Sequence, residues 1–260
     1  MTRAPLTMAL RLRAGFTASA AAGLIAVLLA VGALFPAVGH TIGKLSLPRG
    51  VSDLLGGADY ASVAGWFRSE ISSVYGPLLA GAVAIGAAAS TTAGEEEDHI
   101  LGLVLAYPIT RMRLIAAKAA AVAVLVVIIA ASAWLGLVVG VALAGGGVSA
   151  GNLAAYAVHL AFFAFALGAV ALAAGAGTGR RALATGVAAA VGILGWLING
   201  FAPLVGGLHW LKYLSPFYYY AGHDPLTRGI DVVGLVVLGG AALALTALAM
   251  VALQRRDLRG

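Results

Sequence analysis

The chain has 260 residues, of which 62% are hydrophobic and only 10% are charged, and its mean hydropathy is +1.00. A soluble domain of this size needs far more charge to cover its surface, so this composition excludes an ordinary water-soluble protein. The absence of cysteine excludes disulfides, thiolate metal sites and cysteine nucleophiles. The formal net charge is +6. Most basic residues flank apolar segments, so we interpret them as membrane anchors rather than as a nucleic-acid surface.

Six continuous apolar stretches follow one another along the chain. Each is long enough to cross a hydrocarbon core of ~30 Å, which takes ~20 helical residues. A lipid core offers backbone groups no water, so each stretch must be helical, and the fold class is an all-α membrane protein. A transmembrane barrel would instead show short segments of alternating polarity. The predicted spans form one transmembrane domain over residues 1–260, at about 16–38, 71–93, 114–144, 152–177, 182–204 and 232–253.

The first stretch follows Arg3, Arg11 and Arg13, as the apolar part of a signal peptide would. Because residues 16–38 are longer than such a part, we interpret them as a retained first helix. The loop at 39–70 is long and polar, and its end is predicted to form a short helix on the outer leaflet. Its Tyr60, Trp66 and Tyr75 suit a membrane interface.

The distribution of Lys and Arg predicts the orientation, because cytoplasmic segments carry the excess of basic residues. With the N-terminus inside, eleven of the 16 basic residues are cytoplasmic and five are outside. Six spans then return the C-terminus, with its Arg255-Arg256 pair, to the cytoplasm. The expected location is therefore the plasma membrane, as a multi-pass protein with both termini inside. The cytoplasmic set is Arg3, Arg11, Arg13, Arg111, Arg113, Lys118, Arg180, Arg181, Arg255, Arg256 and Arg259.

The segment between the second and third stretches carries the most information. Four of the ten acidic residues are consecutive there, from Glu95 to Asp98. Carboxylates at the start of a helix are stabilised by its dipole, which predicts one short amphipathic helix over about 95–106. Pro108 is expected to end it, and Thr110 is expected to cap the third span. Two interpretations stay open: a docking element, or a solvated loop whose apolar face lies in the interface.

The string from Gly94 to Lys118 resembles a segment in permease subunits of ABC-2-type ATP-binding cassette transporters. The shared features are an acidic GEEE patch, a leucine-rich helix and a Tyr-Pro-Ile-Thr-Arg turn. The resemblance implies a coupling helix that docks on a separate cytoplasmic ATPase, which holds ATP and Mg, whereas this chain binds no cofactor or metal. The residues it assigns to docking are Glu95, Glu96, Glu97, Asp98, Leu101, Leu105, Tyr107, Pro108 and Arg111.

A second resemblance precedes the sixth stretch. Leu214 to Tyr220 reads LSPFYYY and is followed by DPL and GID, a pattern similar to bacterial drug- and antibiotic-type permeases of that class. The Asp98-His99 pair departs from the small residue and Thr of many members. The resemblance implies two permease protomers, identical or paralogous, and a segment at about 205–229 that dips back as an outer gate. The residues assigned to the gate are Pro203, Trp210, Ser215, Pro216, Phe217, Tyr218 and Asp224.

The sequence lacks the motifs of self-sufficient chemistry. It has no phosphate-binding G-x-x-x-x-G-K-[ST] loop, no HExxH or GxSxG motif and no intramembrane carboxylate pair, so we predict no catalytic residues. His159 in the fourth stretch is interpreted as a hydrogen-bonded packing residue in preference to a substrate contact. The leading hypothesis is an exporter permease for a hydrophobic or amphipathic substrate such as a drug, antibiotic or lipid-like molecule. The alternatives are a non-transporting scaffold or sensor, and a stand-alone secondary transporter.

Overall fold

The computed structural model describes residues 3–39, 41, 62–106, 108–205 and 207–256. These residues are almost entirely helical and include no strand. Within them, six helical stretches are long and apolar enough to cross a membrane, which confirms the predicted fold class. The spans are Arg13–Val38, Val63–Glu97, Arg111–Leu143, Ala150–Thr178, Arg181–Leu204 and Val232–Arg255.

The first span belongs to an α-helix, Arg3–Leu34, that ends in a π-helical turn, Phe35–Gly39. The third, fourth and sixth spans are uninterrupted α-helices with the bounds just given. The fifth span is the α-helix Arg181–Phe201 followed by a 3₁₀ turn, Ala202–Leu204. The shorter elements are α-helices Ile100–Leu105, Pro216–Ala221 and Pro225–Arg228 and the 3₁₀ helix His209–Leu214.

The second span starts earlier than predicted. The residues expected to form a separate helix on the outer leaflet are its first turns, Val63–Phe67, and Trp66 is buried. The Trp66 indole N–H donates to the Val31 carbonyl at 2.9 Å, so the first span, and not the membrane interface, receives this side chain. The prediction failed because Arg68 and Glu70 lower the local hydropathy below that of a span; Tyr60 lies outside the described residues.

Two π-helical segments interrupt the second span, Arg68–Tyr75 and Ser90–Gly94, and the α-helix Gly76–Ala89 lies between them. In the inner segment Ser90, Thr91 and Thr92 donate their hydroxyls to carbonyls one turn back, at 2.5 to 2.9 Å. Such bonds satisfy carbonyls within a lipid-embedded helix and often bend it.

The fourth span is the centre of the bundle. It packs against the second, third, fifth and sixth spans, while the first span packs mainly against the third. Small residues allow the closest approach, as is typical where packing rather than water drives helix association. A Cβ on Gly140 would lie 2.5 Å from the Leu28 carbonyl oxygen, and one on Gly32 would collide with the Gly140 backbone. The first span therefore has its place on the third because both helices carry glycine at the contact.

Candidate functional site: a carboxylate cluster and an apolar groove

The alternation of six spans brings Arg13, Glu97, Arg111 and Arg181 to one end of the bundle, called here the basic end; the other is the far end. At the basic end the three consecutive glutamates contact three different spans. Glu95 forms an ion pair with Lys118 of the third span, with 2.5 Å between Oε2 and Nζ.

Glu96 forms an ion pair with the Arg256 guanidinium, just beyond the sixth span. Glu97 accepts a hydrogen bond at 3.0 Å from the backbone N–H of Arg181, where the fifth span begins. The predicted docking carboxylates thus have partners inside the molecule.

Further bonds extend this network, called here the carboxylate cluster (Glu95, Glu96, Glu97, Lys118, Arg111 and Arg256). Arg256 Nε donates to the Ala176 carbonyl of the fourth span at 3.2 Å. Arg111 Nη1 donates to the carbonyls of Leu253 and Arg256 at 2.7 and 2.8 Å. Lys118 also donates to the Thr91 carbonyl in the inner π-helical segment. Because Glu96 and Lys118 are buried, these bonds hold the second to sixth spans together in a setting of low dielectric.

The predicted single helix over 95–106 is wrong in one respect. Glu95–Glu97 is the last turn of the second span, and the chain breaks at His99, whose φ is +58°. The short helix, called here the connecting helix, is Ile100–Leu105. The dipole argument therefore applies to a different helix, because Glu97 meets the positive N-terminal end of the fifth span.

The connecting helix turns only part of its surface to the bundle. Leu101 is buried and Leu105 is half-buried, whereas Leu103 is 70% exposed. Asp98 and Pro108 are exposed, and Tyr107 lies outside the described residues. The Thr110 hydroxyl accepts from the Arg113 N–H at 3.3 Å, which confirms the predicted cap of the third span.

An apolar groove of about 580 Å³ opens between the second, fourth and fifth spans. Among the described residues that line it, Ser73 and Thr185 are the two with hydroxyl groups, and none carries a charge. The size matches pockets that hold drug-sized molecules. The lining residues are Ser73, Val74, Pro77, Leu78, Gly81, Ala82, Ile85, Gly86, Phe163, Leu167, Thr185, Ala189, Gly192, Ile193, Trp196 and Phe217.

The segment before the sixth span contributes Phe217 to the groove, and its residues 215–217 are called here the groove cover. The Ser215 hydroxyl donates to the Gly195 carbonyl at 2.7 Å and accepts from the Phe217 N–H at 3.1 Å. Pro216 packs so closely on the fifth span that a Cβ on Gly195 would lie 2.8 Å from its Cδ. Phe217 is buried, with its ring centroid 4.7 Å from that of Phe163.

The other residues assigned to an outer gate have surroundings that differ from one residue to the next. Pro203 and Trp210 are exposed, and Trp210 belongs to the 3₁₀ helix before the groove cover. Tyr218 packs edge-on against Tyr213, with 4.9 Å between ring centroids. Asp224 is buried at φ +57° and accepts from Arg68 at 3.1 Å, so it attaches this segment to the second span. Of the seven residues, Phe217 lines the groove, and Ser215 and Pro216 attach it to the fifth span.

Two buried polar groups support the same region. His159 Nδ1 lies 2.8 Å from the Ala155 carbonyl, and Nε2 accepts from the Asp231 N–H at 3.2 Å, so it is a hydrogen-bonded packing residue as predicted. The Tyr220 hydroxyl donates to Tyr156 at 3.0 Å. Sequence reasoning missed the internal roles of Arg68, Arg181 and Arg256. Each stands next to a span end, where basic residues are expected for topology alone.

Comparison with known proteins places the chain in a family. Among curated proteins, none matches it. The family model described as the multidrug efflux system permease Rv1217c, C-terminal domain, matches residues 3–254. This match extends from the first helix to the last turn of the sixth span, and it includes the groove and all of the carboxylate cluster except Arg256. The chain therefore belongs to the family of the C-terminal domain of the multidrug efflux system permease Rv1217c, and it is a membrane transport permease.

Proposed function

We propose that the chain is the transmembrane permease subunit of an ABC-2-type exporter in a bacterial plasma membrane, with its N-terminus inside. Two permease protomers form the pathway, and a separate ATPase subunit, which holds ATP and Mg, drives it. The chain itself is not an enzyme. The basic end is then the cytoplasmic end. The matching family is named for a multidrug efflux permease, which supports export of a hydrophobic or amphipathic substrate.

The attachment of the connecting helix to the bundle is the observation that carries this proposal. The helix exposes Leu103 at the basic end, and its N-terminal flank is the carboxylate cluster. Force applied to a rigid helix passes to the elements bonded to it, as in hinge-type coupling. A partner that moves the connecting helix would therefore displace the second to sixth spans together.

The groove supports the class of cargo. Its lining offers apolar and aromatic side chains with two hydroxyls and no charge, so it suits molecules that leave water readily. An inorganic ion or a strongly polar solute would lose its hydration there without gaining ligands. The groove cover at Phe217 adjoins the far end, where an exported molecule would leave the protein.

Docking is tested by affinity purification in mild detergent, with mass spectrometry of the proteins that co-elute. Replacing Glu95–Glu97 would also break contacts inside the bundle, so we choose Leu103→Ser, which changes only an exposed side chain of the connecting helix. Leu214→Ser is the matched control, because Leu214 is 68% exposed at the far end.

We expect stoichiometric ATPase with the wild type and with Leu214→Ser, and a loss of about tenfold with Leu103→Ser. Burying a leucine side chain against a partner contributes ~1.5–3 kcal/mol, and ~1.4 kcal/mol is a factor of ten in affinity. Reproducible absence of an ATPase from the wild type, with the protein intact, would contradict the proposal and favour a scaffold or a stand-alone carrier.

A further inference from the structure

Glu70 lies near the far end of the bundle, in the second span. None of the contacts described above includes its carboxylate. It is half-buried within the π-helical segment Arg68–Tyr75. Among the residues that the structure describes, none forms an ion pair or hydrogen bond with its side chain. A partly buried charge in a membrane segment is costly and is usually kept for function.

The nearest basic residue along the chain does not neutralise Glu70. Arg68 is paired with Asp224, with 3.1 Å between Nη1 and Oδ2. Lys212, at the same end, lies 5.2 and 5.5 Å from the ring centroids of Tyr213 and Tyr218 and does not line the groove. Among the described residues, neither of these two basic side chains is paired with the Glu70 carboxylate.

The position of Glu70 links it to the groove. It lies about one turn before Val74, and Val74, Pro77 and Leu78 continue down the same helix as groove lining. From Ser73 to Gly86 the lining covers 14 residues of the second span, or about 20 Å at ~1.5 Å per residue. Glu70 therefore lies just beyond the far end of the elongated apolar groove.

The same end of the groove is rich in aromatic rings. Phe163, Trp196 and Phe217 all line it, and the rings of Phe163 and Phe217 are in edge-to-face contact. Aromatic faces attract organic cations, most strongly where water is excluded. The described lining residues include no basic side chain, and Glu70 is acidic, so this region does not suit an anionic ligand.

We propose that the groove and Glu70 form a binding site for lipophilic organic cations. The apolar body of the ligand lies among Phe163, Trp196 and Phe217, and its cationic centre is oriented towards the Glu70 carboxylate. This inference rests on the proposed function, because it names the substrate class of the same groove. Glu70 makes the site selective for cations, and the three aromatic rings bind the apolar part of the ligand.

Direct binding to the purified permease without any ATPase tests this site separately from transport. The probes are tetraphenylphosphonium, a lipophilic cation, and triphenylphosphine oxide, a neutral molecule of related shape. The variants are Glu70→Gln, Glu70→Asp and Trp196→Ala. We expect Glu70→Gln to weaken binding of the cation about tenfold and to leave the neutral probe unchanged, because only the charged pair is lost.

Glu70→Asp should restore most of the affinity for the cation, and Trp196→Ala should weaken both probes. Equal affinity of wild type and Glu70→Gln for tetraphenylphosphonium, or no binding of that cation to the folded wild type, overturns the inference. In both cases, co-elution of an ATPase would still support the proposed function. Failure of the cation site can therefore be distinguished from failure of the proposed function.

Discussion

The ion pair between Glu96 and Arg256 joins the second span to the end of the sixth. The Glu96 side chain is only 3% exposed and that of Arg256 is 20% exposed. A buried charge that loses its partner keeps its desolvation cost, so breaking such a pair costs far more than losing a surface pair. Arg256 also donates to the Ala176 carbonyl, and its own carbonyl accepts from Arg111. This one residue therefore connects several helices at the basic end.

Arg256→Ala should lower the free energy of unfolding by roughly 3 kcal/mol, because Glu96 would stay buried after losing its ion pair with the Arg256 guanidinium. Arg255→Ala is the matched control, since Arg255 is the neighbouring residue and is exposed. This substitution should change the free energy of unfolding by less than about 0.5 kcal/mol. Thermal unfolding in detergent measures both. Equal unfolding midpoints for the two variants would show that the pair contributes little.

At the residue scale, local features were predictable from sequence and long-range partners were not. The Thr110 cap depends on residues three positions apart, and the structure confirms it. The glutamates were expected to stabilise their own helix or a partner protein. Their contacts lie 23 residues away at Lys118 and 160 residues away at Arg256, and no pattern in one sequence indicates that pairing.

At the element scale, the second span connects the carboxylate cluster to the groove. Its inner π-helical segment leads into the carboxylate cluster, and its outer π-helical segment contributes Ser73 and Val74 to the groove. π-Helical turns are rare and frequently occur at functional sites. The inner segment also exposes the Thr91 carbonyl to Lys118, so the departure from α geometry is used in the cluster.

The contact between the first and third spans depends on glycine. Gly140→Ala should lower the free energy of unfolding by about 1–3 kcal/mol, because the added methyl group would overlap the Leu28 carbonyl. In Gly240→Ala the new Cβ would meet nothing within 4 Å, so this control should retain or slightly raise stability. Thermal unfolding in the same detergent compares the two. An unchanged midpoint in Gly140→Ala would mean that the first span is held by other contacts.

The number and type of the spans followed from sequence because hydropathy and backbone satisfaction in lipid are local requirements. The groove did not. Its walls come from three spans and the groove cover, and its volume depends on how closely these pack. Sequence did indicate the cover through the Ser215-Pro216-Phe217 motif, although the motif's contact with Gly195 required the fold.

At the scale of the whole molecule, buried and lipid-facing helices are clearly separated. The second and fourth spans are mostly buried, whereas the fifth and sixth spans expose apolar residues such as Ile193 and Leu243. Such faces are expected to meet lipid or the second protomer proposed above. The basic residues at one end agree with a cytoplasmic basic end.

The chain's lack of cysteine makes this orientation directly testable. Ala150→Cys places a thiol at the start of the fourth span, at the far end, and Gln254→Cys places one near the end of the sixth span, at the basic end; both positions are exposed. A membrane-impermeant maleimide added to intact cells should label Ala150→Cys and spare Gln254→Cys until the cells are opened. The reverse labelling pattern would show that the topology is opposite to the proposed one.

We claim that a separate ATPase drives a permease built from this chain. The ATP dependence is measured by transport in inside-out membrane vesicles, with tetraphenylphosphonium and a neutral hydrophobic dye as substrates. We predict accumulation that requires ATP, persists when a protonophore collapses the proton gradient, and is lost in Leu103→Ser. Accumulation without ATP that the protonophore abolishes would contradict the claim and identify a secondary transporter instead.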